Sequence, residues 1–153
     1  MTNQKQGVGH YQGYRVYTGG TFDLFHSGHV NLLRQCRKIA GPGGRVIVSL
    51  NTDEFINEFK GKPPIIRYKG RSEVLYACKY VDEVRANSGG ADSRPSIELA
   101  KVDFIVIGDD WCSKDYYAQM GFTQKWLDDR GITLIYVPYT QGISTTEIKE
   151  RLK

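Results

Sequence analysis

Short apolar runs alternate along the chain with segments whose apolar residues recur every three to four positions. Tyr14–Thr18 alternates β-forming residues and predicts a first strand. Leu32, Leu33, Cys36, Ile39 and Ala40 follow at helical spacing. Arg45–Leu50 reads as a buried second strand, set off by Gly41–Gly44. Asn51–Glu54 offers an N-cap, and Phe55, Ile56 and Phe59 continue one helical face until Lys60–Pro64 breaks it. After a loop to about Lys69, a helix is predicted over Arg71–Lys79 with Val74, Leu75 and Cys78 inward, then a short third strand at Val81–Val84. Asn87–Arg94 is a flexible loop by composition. Pro95 fits the first turn of a helix carrying Ile97, Leu99 and Ala100. Asp103–Gly108 is a continuous apolar run of the parallel-strand type. One helix is expected over Tyr116–Arg130, ended by Gly131, and Ile132–Val137 gives a fifth strand. Ser144–Glu147 has the spacing of a capping box before a last helix through Leu152.

Strands alternating with helices predict an α/β fold, a doubly wound, mostly parallel five-stranded sheet with helices on both faces. Such sheets bind ligands beyond the carboxyl ends of their strands, at the switch point of the strand order. Polar clusters at Gly19–His29, Asn51–Lys62, Gly108–Trp111 and Pro138–Thr145 fall at those ends and should converge on one cleft.

The 153 residues suit one domain, expected over residues 14–153, behind a polar, disordered tail of residues 1–13 that lacks the apolar core of a signal peptide. A net charge of +4 suits a small polyanionic substrate. No basic block interleaves with aromatics, so nucleic acid is not expected as a partner, and no apolar run is long enough for a membrane span. Cys36, Cys78 and Cys112 are odd in number, far apart and without C-x-x-C spacing, which argues against zinc and for a reduced, cytoplasmic setting.

The chemistry concentrates in the turn from the first strand into the first helix. Glycines there let backbone approach a phosphate, and the helix N-terminus supplies N–H groups and positive potential. His26 and His29 stand three apart in that turn. A structural reading makes one a cap and packs the other. The functional reading makes them stabilisers of charge on a transferring phosphoryl group and on leaving pyrophosphate. No third ligand nearby supports a metal.

Gly20-Thr-Phe-Asp-Leu-Phe-His-Ser-Gly-His29 resembles the H-x-G-H signature of the cytidylyltransferase branch of the nucleotidyltransferases. Ile143-Ser-Thr-Thr146 resembles the second signature of that family, near its carboxyl end. Tyr80–Val84 and Gly108–Trp111 are similar to segments of bacterial glycerol-3-phosphate cytidylyltransferases, and Phe59-Lys60-Gly61 also resembles the choline- and ethanolamine-phosphate enzymes. The likeness spans Arg15 to about Leu152, and both signatures occur in order.

The resemblance implies a Rossmann-like fold that joins CTP, with Mg2+, to a small phosphorylated alcohol, glycerol 3-phosphate first, with release of pyrophosphate. It implies that His26 and His29 meet the phosphates and that Lys60 contacts the α-phosphate and the acceptor phosphate, with Lys62 beside it. Asp23 would orient the loop or help hold magnesium through triphosphate or water; an Asp turn on its own backbone is the alternative. Arg71 would grip phosphate bidentately, unless it is a surface helix arginine. Gly20, Thr21, Phe22 and Gly28 of the first signature, with Gly142 and Ile143 of the second, fall in the nucleotide site. Asp110 and Trp111 would line its base side, and Ser144, Thr145 and Thr146 would bond the outer phosphates. Family members are commonly homodimers; Phe22–Phe25 and Val81–Val84 could form that face or simply pack in the core.

Three departures stand out. Tyr139 replaces the arginine the family usually carries ahead of Ile-Ser-Thr-Thr, so that Lys125, Lys149 or Arg130 substitutes, the acceptor differs, or catalysis is weak. Lys79 stands where the glycerol-phosphate enzymes tend to have arginine, and Cys112–Trp126 is longer than their matching segment. An ATP-using adenylyltransferase and a non-catalytic nucleotide-binding protein are the other readings.

Overall fold

The computed structural model describes residues 13–153. Apart from Gly13, the expected tail lies outside the described residues. Five strands form the sheet: β1 (Arg15–Gly20), β2 (Arg45–Leu50), β3 (Glu83–Ala86), β4 (Phe104–Gly108) and β5 (Thr133–Val137). Seven α-helices connect and flank them: α1 (Ser27–Ala40), α2 (Asp53–Lys60), α3 (Tyr68–Ala77), α4 (Arg94–Ala100), α5 (Tyr116–Met120), α6 (Gln124–Asp129) and α7 (Thr145–Arg151). A 3-10 turn, Asp109–Ser113, follows β4.

Every pairing is parallel, in the order β3-β2-β1-β4-β5. The chain runs outward from β1 to β3, then crosses back to place β4 beside β1. That reversal puts a crevice above the carboxyl ends of β1 and β4, where Gly19–Thr21 and Gly108–Trp111 emerge.

Alternation along the strands builds two apolar layers. Val16, Val46, Val48 and Val106 pack under α1 and α3, against Leu33, Cys36, Ala40 and Leu75. Tyr17, Ile47, Ile105 and Ile107 face the other way, toward Ile97 of α4, Tyr116 of α5 and Leu127 of α6. Helices therefore cover both faces, as expected. Phe22 and Val84 are buried in the layer under α1 and α3, with Phe25 and Val81 packed against it, so core packing accounts for the residues considered for a dimer face.

Four local expectations need correction. The helix expected over residues 116–130 is two helices: Gly121 takes the left-handed conformation (φ 78°), and Thr123 caps a fresh start by accepting from the Trp126 N–H. The third strand sits two residues later than Val81–Val84, because Glu83–Ala86 is the segment that pairs with Ile47–Leu50. In α3 the inward residues are Arg71 and Leu75, while Val74 is exposed; Leu99 of α4 is exposed too. The 87–94 loop is tied down. The Asn87 amide donates to Asn51 Oδ1 (3.0 Å) and to the Gly90 carbonyl (2.9 Å), and Ser96 Oγ donates to Asn87 Oδ1 (3.2 Å).

Candidate active site

A cavity of about 400 Å³ opens at the switch point. Gly20, Thr21, His26, Gly28 and His29 line it from the β1–α1 turn, and Lys60 from the end of α2. Asp110, Trp111, Ile143, Ser144 and Thr145 close it from the β4 and α7 sides. All four polar clusters picked out along the chain contribute to it.

The two histidines are the N-terminal cap of α1. His26 is the N-cap residue, and its Nδ1 accepts the Gly28 N–H (3.0 Å). The His26 N–H donates to His29 Nδ1 (3.1 Å), closing a reciprocal box. The rings stack at 3.8 Å. This geometry fixes the chemistry. A nitrogen that accepts a backbone N–H carries no proton, so in each neutral ring the proton sits on Nε2. Each histidine is thereby set as an N–H donor by the bond that caps the helix. Burial pushes the His29 pKa down to about 3, with the neighbouring His26 adding to the shift and Asp23 opposing it. Burial lowers His26 as well. Both rings are thus neutral donors at pH 7 before an anion arrives. No acidic residue occupies the first turn of α1, so the positive end of its dipole is uncompensated. Gly28 permits the arrangement, since a Cβ there would lie 2.8 Å from His26 Cε1.

Asp23 supports this turn rather than lining the cavity. Its carboxylate accepts from the N–H groups of Ile65 (2.7 Å), Ile66 (2.9 Å) and Leu24 (3.1 Å), and Lys149 Nζ stands 3.9 Å away. Phe22 and Leu24, on either side, hold left-handed conformations (φ 51° and 50°) that cost of order 1 kcal/mol or more each. Burial of Phe22 and the bonds of Asp23 hold them there. Of the two roles considered for Asp23, the loop-orienting one matches this geometry. Both carboxylate oxygens accept backbone N–H groups, which fixes the side chain in the turn. Among the described residues no three His, Cys, Asp or Glu side chains cluster to hold a metal.

Arg71 is neither a phosphate grip nor a surface arginine. It is 1 % exposed. Its guanidinium donates to the carbonyls of Ile66 (2.8 Å), Thr21 (2.8 Å) and Asn51 (2.9 Å) and to Asp53 Oδ1 (2.7 Å). It joins the ends of β1 and β2 to the 65–66 loop, and so positions Thr21 without touching the cavity.

Lys60 reaches the cavity, and its pKa is lowered, first by burial and then by Lys149, with a smaller push from Lys62. Lys62, Gly142 and Thr146 are exposed and outside the lining; Phe22, also outside it, is buried and packs on the His29 ring at 5.2 Å. Ser144 caps α7 by accepting the Glu147 N–H (3.0 Å), leaving its own O–H to donate. The Thr145 hydroxyl is spent on the Asp23 carbonyl (2.8 Å), so that residue offers its backbone rather than its hydroxyl to a phosphate.

Tyr139 also lines the cavity, its N–H held by Asp109 Oδ1 (2.9 Å). Among the substitutes considered for the missing arginine, Lys125 pairs with Asp129, and Arg130 lies over the Trp126 ring and pairs with Glu98. Lys149 stands near Lys60 and Asp23, outside the lining. Lys79 lies over the Tyr80 ring, away from the lining.

Polar residues of the floor were missed along the chain: Thr18, Ser49, Asn51, Asn87, Ser93 and Tyr116. Hydroxyls and amides inside strands and loops carry no spacing that marks them. Only Asn51 fell within a cluster expected at the cleft.

A parallel sheet with a phosphate-shaped helix N-terminus at its switch point defines a nucleotide-handling α/β protein. The model of the cytidylyltransferase-like family matches residues 17–151, and the chain belongs to that family. It is 39 % identical over 138 residues to a glycerol-3-phosphate cytidylyltransferase of Staphylococcus aureus, covering 90 % of this chain and 94 % of that protein. It is 34 % identical over 142 residues to an ethanolamine-phosphate cytidylyltransferase of Dictyostelium discoideum, covering 90 % of this chain and 36 % of that protein. A solved lipopolysaccharide core biosynthesis protein from Thermoplasma volcanium shares the fold, with TM-score 0.65 and 24 % identity over 86 % of this chain and 99 % of that one.

Proposed function

We propose that the protein is a cytidylyltransferase that joins CTP to a small phosphorylated alcohol, glycerol 3-phosphate in the first instance, giving a CDP-alcohol and pyrophosphate. The observation that carries this reading is the histidine cap: two imidazoles held through Nδ1, each keeping an Nε2–H donor, at the uncompensated N-terminus of α1.

In the reaction an acceptor phosphate oxygen, already anionic at neutral pH, forms the new bond to the α-phosphorus of CTP. The bond to the bridging oxygen breaks, and pyrophosphate carries the electrons away. No general base is required. The chain supplies orientation and donors around the pentacoordinate centre. His26 and His29 donate from Nε2, Lys60 gives its charge across the cavity, and Ser144 donates its O–H toward the outer phosphates. Arg71 and Asp23 position the turn. Mg2+ enters this reading with the substrate, carried on the triphosphate.

Asp110 and Trp111 belong to the nucleotide side in this reading. The setting is cytoplasmic; among the described residues no helix is long and apolar enough to cross a membrane. A homodimer is also part of this reading. Tyr139 favours a second acceptor reading: a neutral aromatic at the cavity suits an acceptor other than glycerol phosphate, including ethanolamine or choline phosphate, a phosphonate or a sugar phosphate.

The test is competition. CTP should displace a labelled nucleotide and support pyrophosphate release with a phosphorylated alcohol, where ATP does not. Binding of ATP alone would overturn the cytidylyl reading, and CTP binding without release for any acceptor would leave a nucleotide-binding protein.

A further inference from the structure

The Asp23 side chain is 4 % exposed, and a buried carboxylate left without a cation draws in one that can reach it. Its Oδ1 accepts two N–H groups, from Leu24 (3.1 Å) and Ile66 (2.9 Å), whereas Oδ2 accepts one, from Ile65 (2.7 Å). Lys149 Nζ stands 3.9 Å from Oδ2, the less used oxygen. The helix α7 sets that position. Thr145 and Lys149 share one face of it, and the Thr145 hydroxyl donates to the Asp23 carbonyl at 2.8 Å. The helix therefore clasps Asp23 twice, once at its backbone and once at its charge.

Lys60 is the other cation that feels this carboxylate. It is the last residue of α2, before Gly61 in the left-handed conformation (φ 76°), and its flexible stem leaves the ammonium a choice of direction. The charged groups that face it are Lys149 from α7, Asp23 from the β1–α1 turn and Lys62 from its own loop. After burial, Lys149 is the largest influence on the Lys60 ammonium, ahead of the attraction of Asp23 and the repulsion of Lys62. Lys60 lines the cavity and, among the described residues, lies in no ion pair within 4.0 Å. Arg71, the buried cation of the same turn, is committed to three carbonyls and to Asp53, so it does not serve Asp23. With Lys149 in place, the balance of charge turns Lys60 away from Asp23. Without it, Oδ2 opens and the attraction to Asp23 prevails.

We propose that Lys149 is a positioning residue for the transfer reaction: it occupies the open side of the Asp23 carboxylate and so keeps the Lys60 ammonium directed into the cavity instead of drawn onto Asp23. The inference rests on the cytidylyltransferase reading, in which Lys60 meets the reacting phosphates.

The test compares the wild type with Lys149→Met, which removes the charge, and Lys149→Arg, which keeps it. One readout is an NMR titration of the lysine side chains in the free protein, with the Lys60 signal assigned through Lys60→Arg. The other is pyrophosphate release from CTP with the fastest acceptor among glycerol 3-phosphate, ethanolamine phosphate and choline phosphate. Lys149→Met should raise the Lys60 pKa, because a repelling charge is lost and Asp23 becomes its partner. It should also lower kcat/KM about tenfold or more, the value of one contact to a charged group. Lys149→Arg should keep both readouts near the wild type, its rate within about threefold. A Lys60 pKa that stays or falls in Lys149→Met overturns the inference, and so does a rate within about threefold of the wild type. Equal rate losses in the Met and Arg variants overturn it too, since they would mark a packing role for Lys149. No release from the wild type with any of the acceptors overturns the transfer reading and the catalytic part of the inference with it; the titration stands apart from that outcome and tests the placement of Lys60 alone.

Discussion

His29 does two separable things, and a pair of substitutions separates them. Its Nδ1 accepts the His26 N–H at 3.1 Å, while its Nε2–H remains for substrate. In His29→Asn the side-chain carbonyl can still accept the cap bond, but the amide is too short to reach where Nε2 stood. In His29→Gln the longer amide reaches that place, and a glutamine at this third helical position can also accept the cap bond. A donor to a developing phosphoryl charge is worth about 2.7–4 kcal/mol, or about 10²–10³ in turnover. The cap bond is worth about 1 kcal/mol of stability. His29→Asn should therefore lower kcat by about 10²–10³ with a smaller change in CTP affinity. Its stability loss should be confined to ring packing against His26, Phe22 and Phe25, whose centroids lie 3.8, 5.2 and 5.3 Å away. His29→Gln should keep turnover within about tenfold and match the Asn variant within about 1 kcal/mol in urea unfolding. Pyrophosphate release and urea titration read the two effects independently. Turnover of His29→Asn within about threefold of the wild type would remove the Nε2 donor from the mechanism.

Other expectations follow from the same geometry. Arg71→Met leaves Asp53 and three carbonyls without their partner and should cost about 3–5 kcal/mol in urea unfolding; a loss under about 1 kcal/mol would show that the staple is dispensable. Folded His29 refuses a proton until about pH 3, whereas the unfolded chain takes one near 6.5. Its contribution is therefore complete above pH 6.5 and lost on acidification toward pH 3, at up to about 1.4 kcal/mol per pH unit. Unfolding at pH 7 and pH 5 should show a steeper acid loss in the wild type than in His29→Asn; equal slopes would refute the assignment. Tyr139→Arg should raise turnover on glycerol 3-phosphate if the absent cation is the handicap, and an unchanged or lower rate would mean the tyrosine serves another acceptor.

The fold was legible wherever burial was two-sided or a cap was local. Arg45–Leu50 runs apolar because α1 and α3 cover one face and α4–α6 the other, and its observed bounds match the run. The α2 helix starts at the Asn51–Glu54 signal, with Thr52 accepting the Phe55 N–H. What failed needed partners from elsewhere in the chain. Arg71 takes an inward position of α3 because three carbonyls and Asp53 converge there from separate segments, which no helical periodicity encodes. The aromatic spacing of residues 116–130 continues across Gly121, so the break there shows only in the backbone.

The site was legible as a cleft and as a histidine pair, but the use of that pair was not. Capping and donation looked like rival roles along the chain. In the structure one produces the other, since the Nδ1 bonds leave the proton on Nε2.

The central claim is nucleotidyl transfer from CTP to a phosphorylated alcohol. Its most direct test is mass spectrometry of a reaction containing the protein, CTP, Mg2+ and a panel of phosphorylated alcohols, with pyrophosphate measured alongside. The account predicts a CDP-alcohol and pyrophosphate in equal amounts, and none with ATP in place of CTP. CTP binding with no CDP-alcohol from any acceptor would contradict it.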